Sequence, residues 1–157
     1  MGILAACLCC SPSPDQYPGN EARERDAGAE ASATSAARRS VWSGVYSPEQ
    51  AARGRGAYVE ECSDCHLPDL SGNDLAPPLR GDPFLEKRAG STLGDLYALV
   101  RSTMPQDQAF SLTPQAYVDI LSYLLSENEA PPGRAELDPS QAFLDLIDFD
   151  AESADQP

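Results

Sequence analysis

The sequence predicts an all-α fold with three main helices joined by long loops. Each helix begins at a start signal in which a Ser or Thr N-cap precedes the first helical turn. Apolar residues then recur at spacings of three and four, which places them on one side of a helix. No stretch alternates between apolar and polar residues, as a half-buried strand would.

The first helix begins at Ser47-Pro48 and runs to about Cys62. Ser47 is the N-cap, Pro48 occupies the first helical position, and Gln50 occupies the capping-box position. Gly54 in this helix costs about 1 kcal/mol relative to alanine, which suggests that another helix crosses closely at this point. The buried face comprises Ala51, Gly54, Tyr58 and Cys62.

The second helix is capped by Ser91 or Thr92 and ends just before Met104-Pro105, because proline disfavours helical geometry in the preceding residue. Its buried stripe comprises Leu93, Leu96, Tyr97 and Val100. The third helix opens with Thr113-Pro114 and runs to about Glu127, with a buried stripe of Tyr117, Ile120, Leu121 and Leu124. Residues 68–83 are rich in Pro, Gly, Asp and Asn and are predicted to form a loop, followed by a short turn at Phe84-Leu85.

The chain has 157 residues, which is enough for one domain of ordinary size, predicted for residues 41–137. Its net charge of -14 argues against nucleic acid and anionic membrane surfaces as partners. Residues 138–157 form an acidic C-terminal extension with six acids and no base. The extension contains a helix start at Asp138-Pro139 and several apolar residues. It either folds back over the domain, the interpretation we favour, or acts as an acidic peptide for a basic partner.

The N-terminal segment has the features of an export signal remnant and a linker. The apolar run within residues 1–10 is far shorter than the roughly 20 residues that span a bilayer. Leu4-Ala5-Ala6-Cys7 resembles a bacterial lipobox, although a basic n-region is missing, so Cys7 is either a lipid anchor or an ordinary thiol. Residues 11–40 are predicted to form a disordered tether, with an Ala-rich helix over 21–37 as the alternative.

The motif with the clearest chemistry is Cys62-Ser63-Asp64-Cys65-His66. C-x-x-C-H is the signature of covalent haem c attachment: two thiols form thioethers to one porphyrin, and the adjacent imidazole binds its iron. His66 is the only histidine, and Met104 is the only methionine besides the initiator. A redox dithiol and half of a zinc site are the alternatives, but no βαβ pattern or second ligand pair accompanies the motif.

Residues 47–128 resemble class I cytochrome c beyond this motif. Gly54 and Tyr58 match the glycine and aromatic residue of the family's first helix. Pro77-Pro78-Leu79-Arg80-Gly81 matches its Pro-x-Leu-x-Gly loop, and Met104-Pro105 matches its distal Met-Pro element. Ile120 and Tyr123 match the pair on the last helix. A narrower likeness, in which Leu93-Gly94-Asp95-Leu96 takes part, is to bacterial cytochromes associated with quinoprotein (PQQ-dependent) dehydrogenases.

The resemblance implies one covalent haem c per chain, on Cys62 and Cys65, inside a cytochrome c-like three-helix domain. It implies His66 and Met104 as the axial iron ligands, with the Pro77 carbonyl, or alternatively that of Pro78, accepting a hydrogen bond from the imidazole. The residues expected to line the pocket, which are equally compatible with an ordinary core, are Leu70, Leu79, Leu96 and Tyr97.

The function expected from this resemblance is single-electron transport in the periplasm or another extracytoplasmic compartment, without enzyme activity of its own. Redox proteins would be the partners: a quinoprotein dehydrogenase as donor and an oxidase or another cytochrome as acceptor. The alternatives are a small-ligand sensor or enzyme with an open distal site, and a protein without haem that uses the cysteines for zinc or disulfides.

Overall fold

The computed structural model describes residues 37–150 of the chain. The lipobox-like segment around Cys7, most of the predicted tether and the last residues of the acidic extension lie outside the described residues. The described part is mostly helical, as an all-α class requires, with six helices and one two-stranded sheet. In chain order the elements are β1 (Arg39–Ser40), α1 (Pro48–Glu61), α2 (Ser63–His66), α3 (Asp82–Arg88), α4 (Leu93–Thr103), α5 (Pro114–Glu127), α6 (Gln141–Leu144) and β2 (Ile147–Asp148).

The three predicted helices are confirmed as α1, α4 and α5. Side-chain oxygens of Ser47, Thr92 and Thr113 accept hydrogen bonds from backbone N–H groups in the first turns, so Thr92 rather than Ser91 caps α4. Helix α4 ends before Met104, whose extended backbone satisfies the restriction imposed by the following proline. Among residues 37–150, no helix combines the length and the apolar character that crossing a membrane requires.

Gln50 has a different role from the one its position predicts. Ser47 accepts from the Gln50 backbone N–H at 3.2 Å, which is one half of a capping box. The Gln50 side chain does not return the second bond. It is fully buried, donates to the Leu137 carbonyl at 3.2 Å and accepts from the Leu137 N–H at 2.7 Å. The amide therefore joins the start of α1 to the segment that follows α5.

Helices α1 and α5 cross at Gly54, and this contact organises the domain. A Cβ at Gly54 would overlap the carbonyl oxygen of Asp119 in α5. Beside the crossing, the Arg53 guanidinium donates to the Asp119 carboxylate at 3.1 Å and to the Glu136 carboxylate at 2.8 Å. The close crossing predicted from the glycine is therefore present. The rings of Tyr58 and Tyr123 pack 5.3 Å apart in the same interface.

The sequence patterns did not predict the short elements. Helix α3 forms where a loop and a short turn were predicted, with a proline in its first turn. Arg39–Ser40, expected at the end of the tether, pairs in parallel with Ile147–Asp148. The expectation of no strand was therefore wrong for these residues, because a strand of two residues is too short to show alternation.

The acidic extension folds back over the domain as far as the structure describes it, which confirms the favoured interpretation. Ile147 and Phe149 are buried, and the Phe149 ring packs edge-on against Phe84 of α3 at 6.3 Å. Gln141 of α6 donates to the Gly94 carbonyl at 3.0 Å. A Cβ at Gly94 would overlap the Asp145 carboxylate, so the segment lies directly against α4. Leu144, Ile147 and Phe149 of this segment belong to the same hydrophobic core as residues of α1 and α5.

We expect Gly54→Ala to destabilise the protein by about 2 kcal/mol or more, because the added methyl group must displace the backbone of α5. Gly56→Ala is the matched control in the same helix, since a Cβ there meets nothing within 4 Å. The control should be neutral or stabilising by up to about 1 kcal/mol. Urea unfolding of both variants measures the difference, and equal stabilities would contradict the crossing.

The ion pair between Arg38 and Asp148 predicts a pH dependence of stability. The hydrogen bond from Arg38, and then its charge, lower the pKa of the Asp148 carboxyl below its usual 3.8. The stabilisation is fully present above the unfolded pKa and is lost as the pH falls through the lower folded pKa. Asp148→Asn should therefore be less stable than wild type at pH 7 but approach it at pH 3, as measured by urea unfolding.

Arg38→Gln removes the same ion pair from the other side and should show the same convergence at pH 3. A stability difference that stays constant between pH 7 and pH 3 in both variants would contradict this role of the pair.

Candidate haem site

The C-x-x-C-H motif lies at the end of α1 and forms the short helix α2. Cys62 ends α1 and its N–H donates to the Tyr58 carbonyl at 2.9 Å. The N–H groups of Cys65 and His66 both donate to the Cys62 carbonyl, at 3.2 and 3.0 Å. Cys62 is half-buried, Cys65 is exposed, and neither is in a disulfide. One helical turn therefore presents both thiols and the imidazole together.

His66 is buried at the end of α2, with 7% of its surface exposed. Its Nδ1 lies 2.9 Å from the carbonyl oxygen of Pro77. A carbonyl only accepts, so in the neutral ring Nδ1 carries the proton and Nε2 carries the lone pair. This is the expected contact with Pro77 rather than Pro78. A histidine held in this tautomer has one nitrogen suited to bind a metal.

The loop after α2 folds back and brings Pro77 to the imidazole. The N–H of Gly72 donates to the His66 carbonyl at 3.1 Å. Gly72 has φ of +67°, and a Cβ there would lie 2.5 Å from the Ala76 carbonyl oxygen. Only glycine combines that backbone conformation with that close approach. The loop, for which the sequence predicted no regular structure, therefore positions the Pro77 carbonyl.

Two asparagines that the sequence analysis did not single out hold this loop at either end. Asn73 donates to the Cys65 carbonyl at 3.0 Å and accepts from two N–H groups of its own turn. Asn128, buried at the end of α5, accepts from the Gly81 N–H at 2.8 Å and donates to the Leu79 carbonyl at 3.0 Å. Asparagine near Gly and Pro is a turn signal, but it does not reveal which distant carbonyl it will bind.

The Cys62 thiol differs from the activated thiol of a redox dithiol. Burial, with smaller contributions from Glu61 and Cys65, raises its pKa to about 11. Catalytic Cys-x-x-Cys pairs depend instead on a thiol whose pKa is lowered. Within residues 37–150, no group of three or more His, Cys, Asp and Glu side chains is arranged as a metal site.

Met104 follows the last residue of α4 and is half-buried. Its N–H donates to the Val100 carbonyl at 2.8 Å, and its carbonyl accepts from the Tyr117 hydroxyl at 3.0 Å. Tyr117 in turn packs edge-on against Tyr97, with the ring centroids 6.3 Å apart. Both backbone groups of Met104 are thus bonded, whereas its thioether makes no hydrogen bond to residues 37–150.

The structure thus gathers the predicted site residues into two groups. Cys62, Cys65, His66 and Pro77 form the first, and Tyr97 and Met104 form the second with Tyr117. No hydrogen bond between described residues links the two groups directly. The residues predicted to line the pocket are buried in the core, or half-buried in the case of Leu79: Leu70, Leu79, Leu96 and Tyr97.

The residues of the first group fit a covalently bound haem. Two unpaired thiols are available on one helical turn, and the His66 ring is fixed with Nε2 as its unprotonated nitrogen. Met104 supplies a soft thioether on a separate segment with a bonded backbone. The set of donors, two thiols, one imidazole and one thioether, is the set that a Met/His-ligated haem c uses.

Comparison with known proteins adds no further evidence about the site. No family model, no curated protein and no solved structure matches the chain.

Asn128→Ala should destabilise the protein by about 1–3 kcal/mol, because the buried Asn128 amide makes three hydrogen bonds, with the Gly81 N–H and with the Leu79 and Leu124 carbonyls, and all three are lost. Asn73→Ala is the control, since that side chain also makes three hydrogen bonds but is exposed, and water can replace it. Its cost should stay below about 1 kcal/mol. Guanidinium unfolding measures the stability of both variants. A larger loss of stability for Asn73→Ala than for Asn128→Ala would contradict the prediction.

Proposed function

We propose that this chain is a monohaem c-type cytochrome that carries single electrons between redox proteins. The proposal rests above all on one arrangement: Cys62, Cys65 and His66 share a single helical turn, and the Pro77 carbonyl orients the imidazole. A short helix with this spacing suits one porphyrin better than a four-ligand zinc site. The resemblance of residues 47–128 to class I cytochrome c also supports this proposal.

The cysteines would attach the haem through their thiols. Each S–H adds across one vinyl C=C bond: a C–S bond forms at one carbon and the hydrogen goes to the other. The addition consumes no external oxidant or reductant, but both thiols must be reduced. The unpaired state of Cys62 and Cys65 satisfies this requirement.

His66 and Met104 would hold the iron. When bound, the haem supplies a one-electron Fe(III)/Fe(II) couple. His66 would bind through Nε2, and its Nδ1–H bond to Pro77 would fix the ring and raise its basicity. A Met104 thioether ligand would favour the ferrous state and raise the potential relative to two imidazoles. Leu79 and Tyr97 would exclude water from the pocket.

The charge around the motif supports a basic redox partner. Residues 56–79 contain five carboxylates and no lysine or arginine: Glu60, Glu61, Asp64, Asp69 and Asp74. Attraction between such a surface and a basic partner speeds association and orients it. A quinoprotein dehydrogenase as donor, with an oxidase or another cytochrome as acceptor, remains the proposal for its partners. Covalent haem attachment would place the domain in an extracytoplasmic compartment.

Expression in a host that matures c-type cytochromes tests the proposal. The purified protein should show sharp α and β bands on reduction, and the haem should stay with the protein after acid–acetone extraction. A variant with both Cys62→Ser and Cys65→Ser is the control and should lose the haem on extraction. Colourless wild-type protein from that host would overturn the assignment.

Met104→Ala should remove the weak sulfur-to-iron band at the red end of the ferric spectrum, lower the reduction potential and allow carbon monoxide to bind the ferrous protein. Leu112→Ala is the control: Leu112 is a half-buried residue of the same loop that carries no ligand atom, so the band should persist. Carbon monoxide binding by wild type would favour a ligand-binding haem protein with an open distal site instead.

A further inference from the structure

We propose that Tyr117 is a positioning residue for Met104: its hydroxyl fixes the backbone from which the thioether reaches the iron. The inference rests on the proposed function, because it concerns the sixth iron ligand. Tyr117 was predicted from the sequence only as part of the apolar stripe of α5. Its hydroxyl has a more specific partner, the carbonyl of Met104 itself, at 3.0 Å.

The first turn of α5 holds Tyr117 rigidly. The residue is fully buried, and its ring packs at 90° against the ring of Tyr97 in α4. The turn is capped by Thr113, whose hydroxyl accepts from the Ala116 N–H at 3.1 Å. Because a buried aromatic ring in a capped helix has little freedom, its hydroxyl is a fixed donor.

Two other contacts of the loop between α4 and α5 lie at the surface. The Phe110 N–H donates to the Arg101 carbonyl at 3.0 Å, and the Arg101 guanidinium lies 5.5 Å from the Phe110 ring. Phe110 has 61% of its surface exposed, so this cation–π contact is weak. Pro105, next to Met104, has no N–H to donate. Among the described residues, the hydrogen bond from the buried Tyr117 is the one that joins Met104 to α5.

The histidine side of the site has a matching arrangement. Tyr58 of α1 is also fully buried, and its hydroxyl donates at 2.7 Å to the carbonyl of Leu67, the residue after His66. Tyr58 and Tyr117 come from the two helices that cross at Gly54. Each of the two ligand-bearing segments is thus joined by one tyrosine hydroxyl to one of the two crossing helices.

Loss of the Tyr117 hydroxyl should weaken Met104 as a ligand more than it weakens the fold. With the carbonyl released, the backbone at Met104 samples positions from which the thioether does not reach the iron. An external ligand then displaces the Met104 thioether more easily. Its apparent binding free energy becomes more favourable by the amount that the hydrogen bond contributed to holding Met104 in place. A purely structural tyrosine would lower stability without this change in affinity.

The test compares Tyr117→Phe with Tyr46→Phe in the full-length holoprotein. Tyr46 is the matched control: it is buried, and its hydroxyl donates to the Ala130 carbonyl at 2.6 Å, away from Met104. The probe is imidazole, titrated against the ferric protein while the sulfur-to-iron band is followed. Tyr117→Phe should lower the apparent Kd for imidazole about fivefold to tenfold, whereas Tyr46→Phe should change it less than about twofold.

Thr113→Ala is a milder second variant, because it loosens the turn that carries Tyr117 and keeps the hydroxyl. It should shift the affinity in the same direction by about twofold. Urea unfolding of all three variants shows whether the stability losses are comparable. Equal imidazole affinities for Tyr117→Phe and wild type, or equal shifts for Tyr117→Phe and Tyr46→Phe, would overturn the positioning role.

Failure of this inference is distinguishable from failure of the proposed function. A wild-type ferric protein that lacks the sulfur-to-iron band would overturn Met104 as ligand and the positioning role together. A wild-type protein with that band, combined with an unchanged affinity in Tyr117→Phe, would overturn the positioning role alone and leave the electron-transfer proposal intact.

Discussion

The close crossing of α1 and α5 at Gly54 is the constraint on which the rest of the domain depends. Because a glycine allows the α5 backbone at Asp119 to touch α1, both helices are fixed along their length. The C-terminal end of α1 then sets the position of the C-x-x-C-H motif. The first turn of α5 carries Tyr117, and its last residue is followed by Asn128. Three parts of the candidate site are therefore placed by one contact between two helices.

Buried polar side chains position the segments around the crossing of α1 and α5. Gln50, Tyr58, Tyr117 and Asn128 are buried, and each bonds to a backbone group of a distant or irregular segment. A buried amide or hydroxyl is stable only with a partner, so each one selects a single arrangement of the loop it contacts. Long loops rich in proline and glycine can in this way hold a carbonyl or a ligand residue in one place.

The sequence was sufficient for the main helices, the N-caps of α1 and α5 and the close approach at Gly54, because these follow from local rules of spacing and backbone geometry. It was also sufficient, together with the resemblance, for the contact between His66 and Pro77. It could not reveal α2, α3 or the pairing of β1 with β2, which are too short for a periodic pattern. Nor could it reveal the roles of Gln50 and Asn128, since a polar residue does not indicate which distant backbone group it will meet.

The docked C-terminal segment has one further consequence, which concerns Trp42. It is the only tryptophan of the chain, it is buried, and its indole N–H donates to the Asp150 carbonyl at 3.0 Å. Release of that segment would remove this hydrogen bond and change the surroundings of the indole. Tryptophan fluorescence, excited selectively over the six tyrosines, should therefore respond when this segment is released.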